Sequence, residues 1–309
     1  MGMIVGVDYA SVDQNSTPNY DTFRRACIAA GSTAGFAIMR GAYGTWPDPV
    51  VQRDWRAATA AKLTCGAYLF LRLPIQGYSG TPEEQVSVFA KSVGTLTNAD
   101  LVPIIDVEDA GLAAKDELEI VHRAWSAMKS TYGVPPMIYT SNRVWVEDLD
   151  DLPAGDMVDS PLWLAKPWPW ATRVAAQLSP APFSDPGNPR DPVVPAPWGA
   201  RNWWIHQYQG DALPVPGFAH TTDLSRFSTM TVGETGARVA WLQQRIGAPV
   251  SATFDAGTAA RVRAFQSNHG LVADAIVGPK TFAAVAWSRV AVKPPTASPA
   301  SPGSGSGSP

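Results

Sequence analysis

The chain has 309 residues, of which 45% are hydrophobic and 17% charged, and its formal net charge is −3. This composition excludes global disorder, which needs fewer apolar residues and more charge, and it excludes whole-chain attraction to nucleic acid or to an anionic membrane. Two cysteines, Cys27 and Cys65, are too few for a disulfide-stapled scaffold and read as buried thiols.

The first residues, Met1 to Asp8, show no basic n-region, no long apolar stretch and no small-residue cleavage site, so no signal peptide is expected. No apolar run approaches the roughly 18 residues of a membrane-spanning helix, so no stable membrane insertion is expected. The chain is therefore expected to be made in the cytoplasm. Short apolar runs at Ile4–Val7, Gly35–Met39, Ala67–Leu71, Leu101–Val107, Met137–Tyr139, Pro161–Ala165 and Trp203–Gln207 suit buried parallel strands. Helical spacing of apolar residues falls between them, at Tyr20–Ala30, Val51–Ala61, Pro82–Val93 and Asp116–Tyr132. Such repetition over residues 1–228 fits a parallel barrel or a doubly wound sheet. No glycine-rich phosphate fingerprint follows the first strand, which favours the α/β class with an irregular, TIM-like (β/α) barrel.

A Pro-rich insertion runs from about Ala171 to Ala200. Residues 232–290 then read as a small three-helix module. Val239, Leu242 and Ile246 recur at helical spacing, and Gly247 stops that helix. Val262 and Phe265 share a face of Thr258–Asn268, and Pro279 opens a last helix with Phe282, Val285 and Ala286 facing inward. Residues 291–309 are Pro, Ser, Ala and Gly with little apolar bulk, and are expected to be disordered. Residues 1–228 carry a net charge of −7 and residues 229–290 one of +3, a weak signal for a module that binds an anionic polymer.

The stretch Leu101-Val-Pro-Ile-Ile-Asp106-Val-Glu108 carries the most chemistry. Residues two apart in a strand point to the same side, so Asp106 and Glu108 share a face at a strand's C-terminal end, where barrel enzymes build active sites. Two carboxylates held together raise each other's pKa, so that one stays protonated while the other ionises. Glycosidic cleavage uses that division of labour. A solvated acidic turn closing a strand would show the same pattern. Asp8 ends the first strand and Asp223 follows the last. Each alone also fits a cap or turn, and only a shared rim would join them to the pair.

Six of the twelve tryptophans lie between Trp163 and Trp204. Core packing accounts for Trp125, Trp163 and one of Trp203 and Trp204. Trp168 and Trp170, in a Lys-Pro-Trp-Pro-Trp loop, are candidates for stacking on sugar rings. His122, His206, His220 and His269 have no metal-ligand spacing and no GxSxG elbow occurs, so no metal or other cofactor is expected.

Taken in order, Val5-Gly-Val-Asp8-Tyr-Ala-Ser11, Phe36-Ala-Ile-Met-Arg40, Gly66-Ala-Tyr-Leu-Phe70, Pro103-Ile-Ile-Asp106-Val-Glu108, Ile138-Tyr-Thr140, Pro161-Leu-Trp-Leu-Ala165, Gln207-Tyr208 and Thr222-Asp223-Leu-Ser-Arg-Phe227 resemble glycoside hydrolase family 25, the Chalaropsis-type lysozymes. The resemblance implies an N-acetylmuramidase cutting the β-1,4 bond between N-acetylmuramic acid and N-acetylglucosamine, on an irregular barrel with antiparallel strands near its end. It implies Glu108 as general acid, and Asp106 as the group that orients the acetamido substituent or stabilises the oxocarbenium-like transition state. Asp8 and Asp223 would form a supporting pair, and Tyr68, Tyr139 and Gln207 would line the sugar site. One departure is Arg40-Gly-Ala-Tyr43-Gly44, where the family usually has Lys-Ala-x-Glu-Gly.

The terminal module is similar to the type 1 peptidoglycan-binding domain through Gly236-Ala-Arg-Val-Ala-Trp-Leu-Gln-Gln-Arg-Ile246, Arg261-Val-Arg-Ala-Phe-Gln-Ser-Asn-His-Gly270 and Asp274-Ala-Ile-Val-Gly-Pro-Lys-Thr-Phe282. Arg263, Gln266 and Asp274 are its candidate ligand contacts. The combination resembles a bacteriophage endolysin whose partners are peptidoglycan glycan strands and which reaches the wall through a holin. A tethered module would raise the local substrate concentration, so removing residues 229–309 should weaken wall binding more than hydrolysis of soluble fragments. The competing readings are a wall-binding protein that keeps an inactive barrel, and a hydrolase for another acetamido-sugar polymer such as chitin.

Overall fold

A computed structural model describes residues 2–14, 16–165, 178–179, 191–199, 202–210 and 215–288. Trp168, Trp170, most of the Pro-rich insertion and the 291–309 tail lie outside the described residues.

Eight strands close a barrel. They are β1 (Ile4–Tyr9), β2 (Thr33–Tyr43), β4 (Thr64–Phe70), β5 (Ile104–Asp106), β6 (Met137–Ser141), β7 (Leu162–Ala165), β8 (Ile205–Gln209) and β9 (Asp223–Phe227), and a two-residue strand β3 (Trp46–Pro47) folds back on β2. Neighbours from β1 through β8 are parallel, whereas β9 is antiparallel to both β8 and β1. Helices α1 (Tyr20–Ala29), α2 (Val51–Ala60), α3 (Pro82–Val93) and α4 (Ala114–Tyr132) cover the outside. Their ends follow local chemistry. The α3 helix starts at a Thr81/Glu84 capping box with Pro82 in its first turn, and α4 stops at Gly133 in the left-handed region.

The barrel expected from sequence is present, and residues 223–227 form an antiparallel strand near its end of the kind the family resemblance implies, although no apolar run marked it. Because β9 runs backwards, its first residue, Asp223, pairs with Asp8, the penultimate residue of β1. Strand β5 ends at Asp106 rather than at Val107, so Glu108 lies two residues beyond it. The chain stays extended there, since Val107 N–H donates to the Tyr139 carbonyl at 2.9 Å, so the alternation persists past the last ladder residue.

At the opposite, N-terminal end of the barrel, Phe36 packs its ring over Gly6 so closely that a Cβ there would lie 2.1 Å from it. The three-helix module, α5 (Ala237–Arg245), α6 (Ala256–Asn268) and α7 (Pro279–Trp287), seats on this end. Trp204 and Phe227 of the barrel meet Phe282 at ring-centroid distances of 4.5 and 5.7 Å. Arg238 donates to the carbonyls of Trp203 and Ser228, and Trp287 Nε1 donates to that of Asp100 at 2.9 Å. One continuous apolar cluster therefore contains residues from both units. This contact differs from a module hung on a loose tether.

Within the module a structural unit repeats. Gln243 and Gln266 are both fully buried on helices, and each fastens the loop that follows. Gln243 Nε2 donates to Ser251, Thr253 and Thr258 while its Oε1 accepts from two loop N–H groups. Gln266 Nε2 donates to Asp274, Ile276 and Thr281, and its Oε1 accepts from Ala275 N–H. Ala252 and Ala275 occupy the same position in the two loops, both at positive φ. Gln266 and Asp274, candidate ligand contacts from sequence, thus hold each other and the fold, while Arg263 is exposed. Replacing Gln266 with Leu strands several buried polar groups, and is expected to cost about 2 kcal/mol or more in a denaturant titration. A smaller loss would mean that the loop finds other partners.

Among the described residues no helix is long and apolar enough to cross a membrane, and no group of three or more His, Cys, Asp or Glu side chains is arranged to hold a metal ion. Cys27 and Cys65 are free and buried.

Candidate active site

The C-terminal rim of the barrel opens into a cavity of about 570 Å³ lined by Asp8, Asp106, Glu108 and Asp223, with Arg40, Tyr43, Tyr68 and His220 around them. Each acid arrives from the end of a different barrel segment. Asp8 comes from β1, Asp106 from the last position of β5, Glu108 from the loop beyond it, and Asp223 from the start of the reversed strand β9. All four acids selected from sequence therefore face one hollow, together with Tyr68.

Asp8 and Asp223 form its floor. Gln207 Nε2 donates to Asp8 Oδ2 and, at 3.1 Å, to Asp223 Oδ2, while Gln207 Oε1 accepts from the Tyr139 hydroxyl at 2.9 Å. Ser225 donates to Asp8 Oδ1 at 3.0 Å and is itself held by Trp163 Nε1. Gln207 and Tyr139, placed at the sugar site from sequence, do not line the cavity. They sit one layer below and orient the carboxylates.

The electrostatics shift three of these acids in the same direction. Asp106 is almost fully buried and its Oδ1 has no hydrogen-bond partner among the described residues. Burial first, and then the charges of Glu108 and Asp8, push its pKa well above the usual carboxylate range, while Arg40 opposes the shift. Burial likewise raises Asp8 well above that range, with the Asp223 charge adding to it and the hydrogen bonds from Gln207 and Ser225 lowering it. Glu108 reaches solvent at the cavity mouth, yet desolvation of its carboxyl still raises its pKa against the opposing charge of Arg143. Asp8, Asp106 and Glu108 therefore all keep a proton to higher pH than a free carboxyl would.

A carboxylate whose folded-state pKa is raised stabilises the fold most at acid pH, and that contribution fades as pH climbs through the folded-state value. Asp106→Asn is therefore expected to raise Tm at pH 7 by about 3 °C or more while lowering activity, and to flatten the loss of Tm between acid and neutral pH. An unchanged pH dependence of Tm would show that Asp106 is not strained by its burial.

Sequence reading did not give Arg40 a site role. This side chain, whose charge opposes the shift of Asp106, sits toward the rim end of β2, 3.8 Å from Asp48, and the available signal was a lone arginine directly after the apolar run Gly35–Met39. The tryptophan-rich segment behaves differently from expectation. Trp163, Trp198, Trp203 and Trp204 are all buried, so both members of the Trp203/Trp204 pair pack in the core rather than one. Among the described residues the exposed indole is Trp46, on the β2–β3 hairpin.

Comparison with known proteins follows the same division. The sequence profile of glycosyl hydrolases family 25 matches residues 8–217, and that of a peptidoglycan binding domain matches residues 235–285. The chain belongs to glycosyl hydrolases family 25 and is a glycoside hydrolase of the lysozyme type, followed by a peptidoglycan-binding helical domain. Among solved structures it is similar to the bacterial lysozyme from Streptomyces coelicolor (20% identity, 73% of this chain and 92% of that one, TM-score 0.56). It is also similar to the family GH25 lysozyme from Aspergillus fumigatus (23% identity, 73% and 94%, TM-score 0.54). A third similar structure is the muramidase from Trichobolus zukalii (25% identity, 73% and 93%, TM-score 0.52). No curated protein sequence matches the chain.

Proposed function

We propose that the chain is an N-acetylmuramidase that hydrolyses the β-1,4 bond between N-acetylmuramic acid and N-acetylglucosamine in bacterial peptidoglycan. The observation that carries this reading is the gathering of Asp8, Asp106, Glu108 and Asp223 on one cavity, with Glu108 at its mouth and raised in pKa. In this reading Glu108 enters protonated and gives its proton to the glycosidic oxygen as the bond breaks. Asp106, buried beside it, orients the acetamido group or stabilises the positive charge that develops at the anomeric carbon. Asp8 and Asp223, fixed through Gln207 and Ser225, form the polar floor beneath the reacting sugar. Tyr68 supplies an aromatic wall to the sugar ring, and Trp168 and Trp170 remain stacking candidates outside the described residues. The muramidase named among the similar structures supports the same bond specificity.

The terminal module would hold the wall while the barrel cuts it. We further place the protein as a bacteriophage endolysin, made in the host cytoplasm and reaching peptidoglycan after a holin opens the membrane, so that cutting leads to lysis. What supports this finer role is the pairing of a lysozyme barrel with a wall-binding module. The test of the main reading is digestion of purified walls. New reducing ends without new free amines are the expected result. Binding with no new ends would favour an inactive wall-binding barrel, and new amines alone would point to an amidase or peptidase.

A further inference from the structure

The catalytic cavity does not end at its aromatic wall. Arg40 and Tyr43 also line a second hollow of about 310 Å³ together with Trp46. Trp46 in turn borders a third, of about 590 Å³, with Arg72 and Tyr78. These hollows carry the concave surface from Glu108 past Tyr43 to Trp46. Trp46 is 55% exposed and is the one aromatic among the exposed large hydrophobic side chains of the described residues.

Trp46 is also held in place. The β2–β3 hairpin pairs Trp46 with Tyr43 across a tight turn in which Gly44 takes φ +58° and donates its N–H to the Phe70 carbonyl. The indole stacks on the Tyr43 ring at 6.0 Å with 25° between planes, and leans on Tyr78 at 5.4 Å. Arg72 lies over both tyrosine rings, at 4.9 and 5.3 Å, and is fixed by Asp109 and by the Tyr43 hydroxyl, each at 2.9 Å. An indole that is exposed yet fixed loses little conformational freedom when a ligand covers it. Its surroundings are polar: Thr45, Gln76, Ser79 and Glu84 flank the third hollow. That setting lacks the contiguous apolar patch that marks a membrane or helix-docking surface. It matches a pyranose, which offers one C–H face to stack and a ring of hydroxyls to the polar rim.

We propose that Trp46, supported by Tyr43 and Tyr78, forms an accessory sugar-stacking subsite for an N-acetylhexosamine of the glycan strand, beyond the two sugars that flank the scissile bond. The proposal rests on the muramidase reading and adds to it a preference for strands long enough to reach Trp46. A contact made equally with ground and transition state lowers KM and leaves kcat alone.

The test compares wild type with Trp46→Ala on long, peptide-free glycan strands and on the shortest soluble fragment that wild type cuts. The expected result is a KM raised about 10-fold on long strands, the scale of losing an aromatic anchor, with kcat little changed and short-fragment kinetics unchanged. Trp46→Phe should restore most of the affinity. An unchanged KM on long strands overturns the subsite, as does an equal loss on both substrates. If wild type cuts neither substrate, the muramidase reading fails separately. Calorimetric titration of the uncut strands then decides the subsite, with tighter binding by wild type than by Trp46→Ala supporting it and equal binding overturning it.

Discussion

Glu108→Gln is expected to lower kcat/KM on purified walls by at least about 100-fold, the scale of losing a general acid, while wall pulldown by the same variant persists. Glutamine fills the same volume at the cavity mouth but has no proton to give to a departing sugar oxygen. The pH profile carries the same information. Glu108 acts in its protonated form, and partial desolvation of its carboxyl raises its pKa. Activity should therefore hold at acid pH and fall as pH rises through that raised value, and the residual activity of Glu108→Gln should lose this alkaline limb. Undiminished lysis by the variant would remove Glu108 from the mechanism. A large loss with the limb intact would assign the proton to another group.

Phe282→Ala is expected to destabilise the whole chain by about 3–5 kcal/mol, the range for emptying a buried aromatic site. Phe282 is fully buried between the helical module and the barrel base, against Trp204, Trp241 and Phe227. Because these rings belong to one cluster, thermal melting should show barrel and module unfolding together at a lower Tm. Residues 229–309 should not be removable without harm, since truncation strips the module's rings from Trp204 and Phe227. Hydrolysis of soluble fragments should therefore suffer along with wall binding. Module unfolding alone in Phe282→Ala, with the barrel Tm unchanged, would restore the picture of two independent units.

Much of this was legible in the sequence because the physics was local. Apolar runs gave seven strand positions, helical spacing gave the covering helices, and the Asp-x-Glu step at the end of a strand pointed to the cavity. Strand β9 was implied by the family resemblance but not by the apolar pattern, because Asp223 and Ser225 hold polar atoms against Asp8 and Gln207 at the site. A strand whose inner face serves a charged cluster reads as a polar loop. Trp46 escaped notice for a related reason. Its strand is two residues long, too short for any period, and its exposure follows from the hairpin turn. The crowded tryptophans near Trp203 drew attention by number, yet those described serve the core. In the helical module, spacing identified the inward faces of Phe282 and Val285 but not what they face, because a periodic pattern marks a buried side without naming its partner.

The most direct measurement of the central claim is the identity of the sugar left at each new chain end. Walls digested by the wild-type chain and then reduced with borohydride should yield the alcohol of N-acetylmuramic acid, and Glu108→Gln should yield almost none. New ends carrying only the alcohol of N-acetylglucosamine would contradict the proposed bond, whatever the extent of lysis.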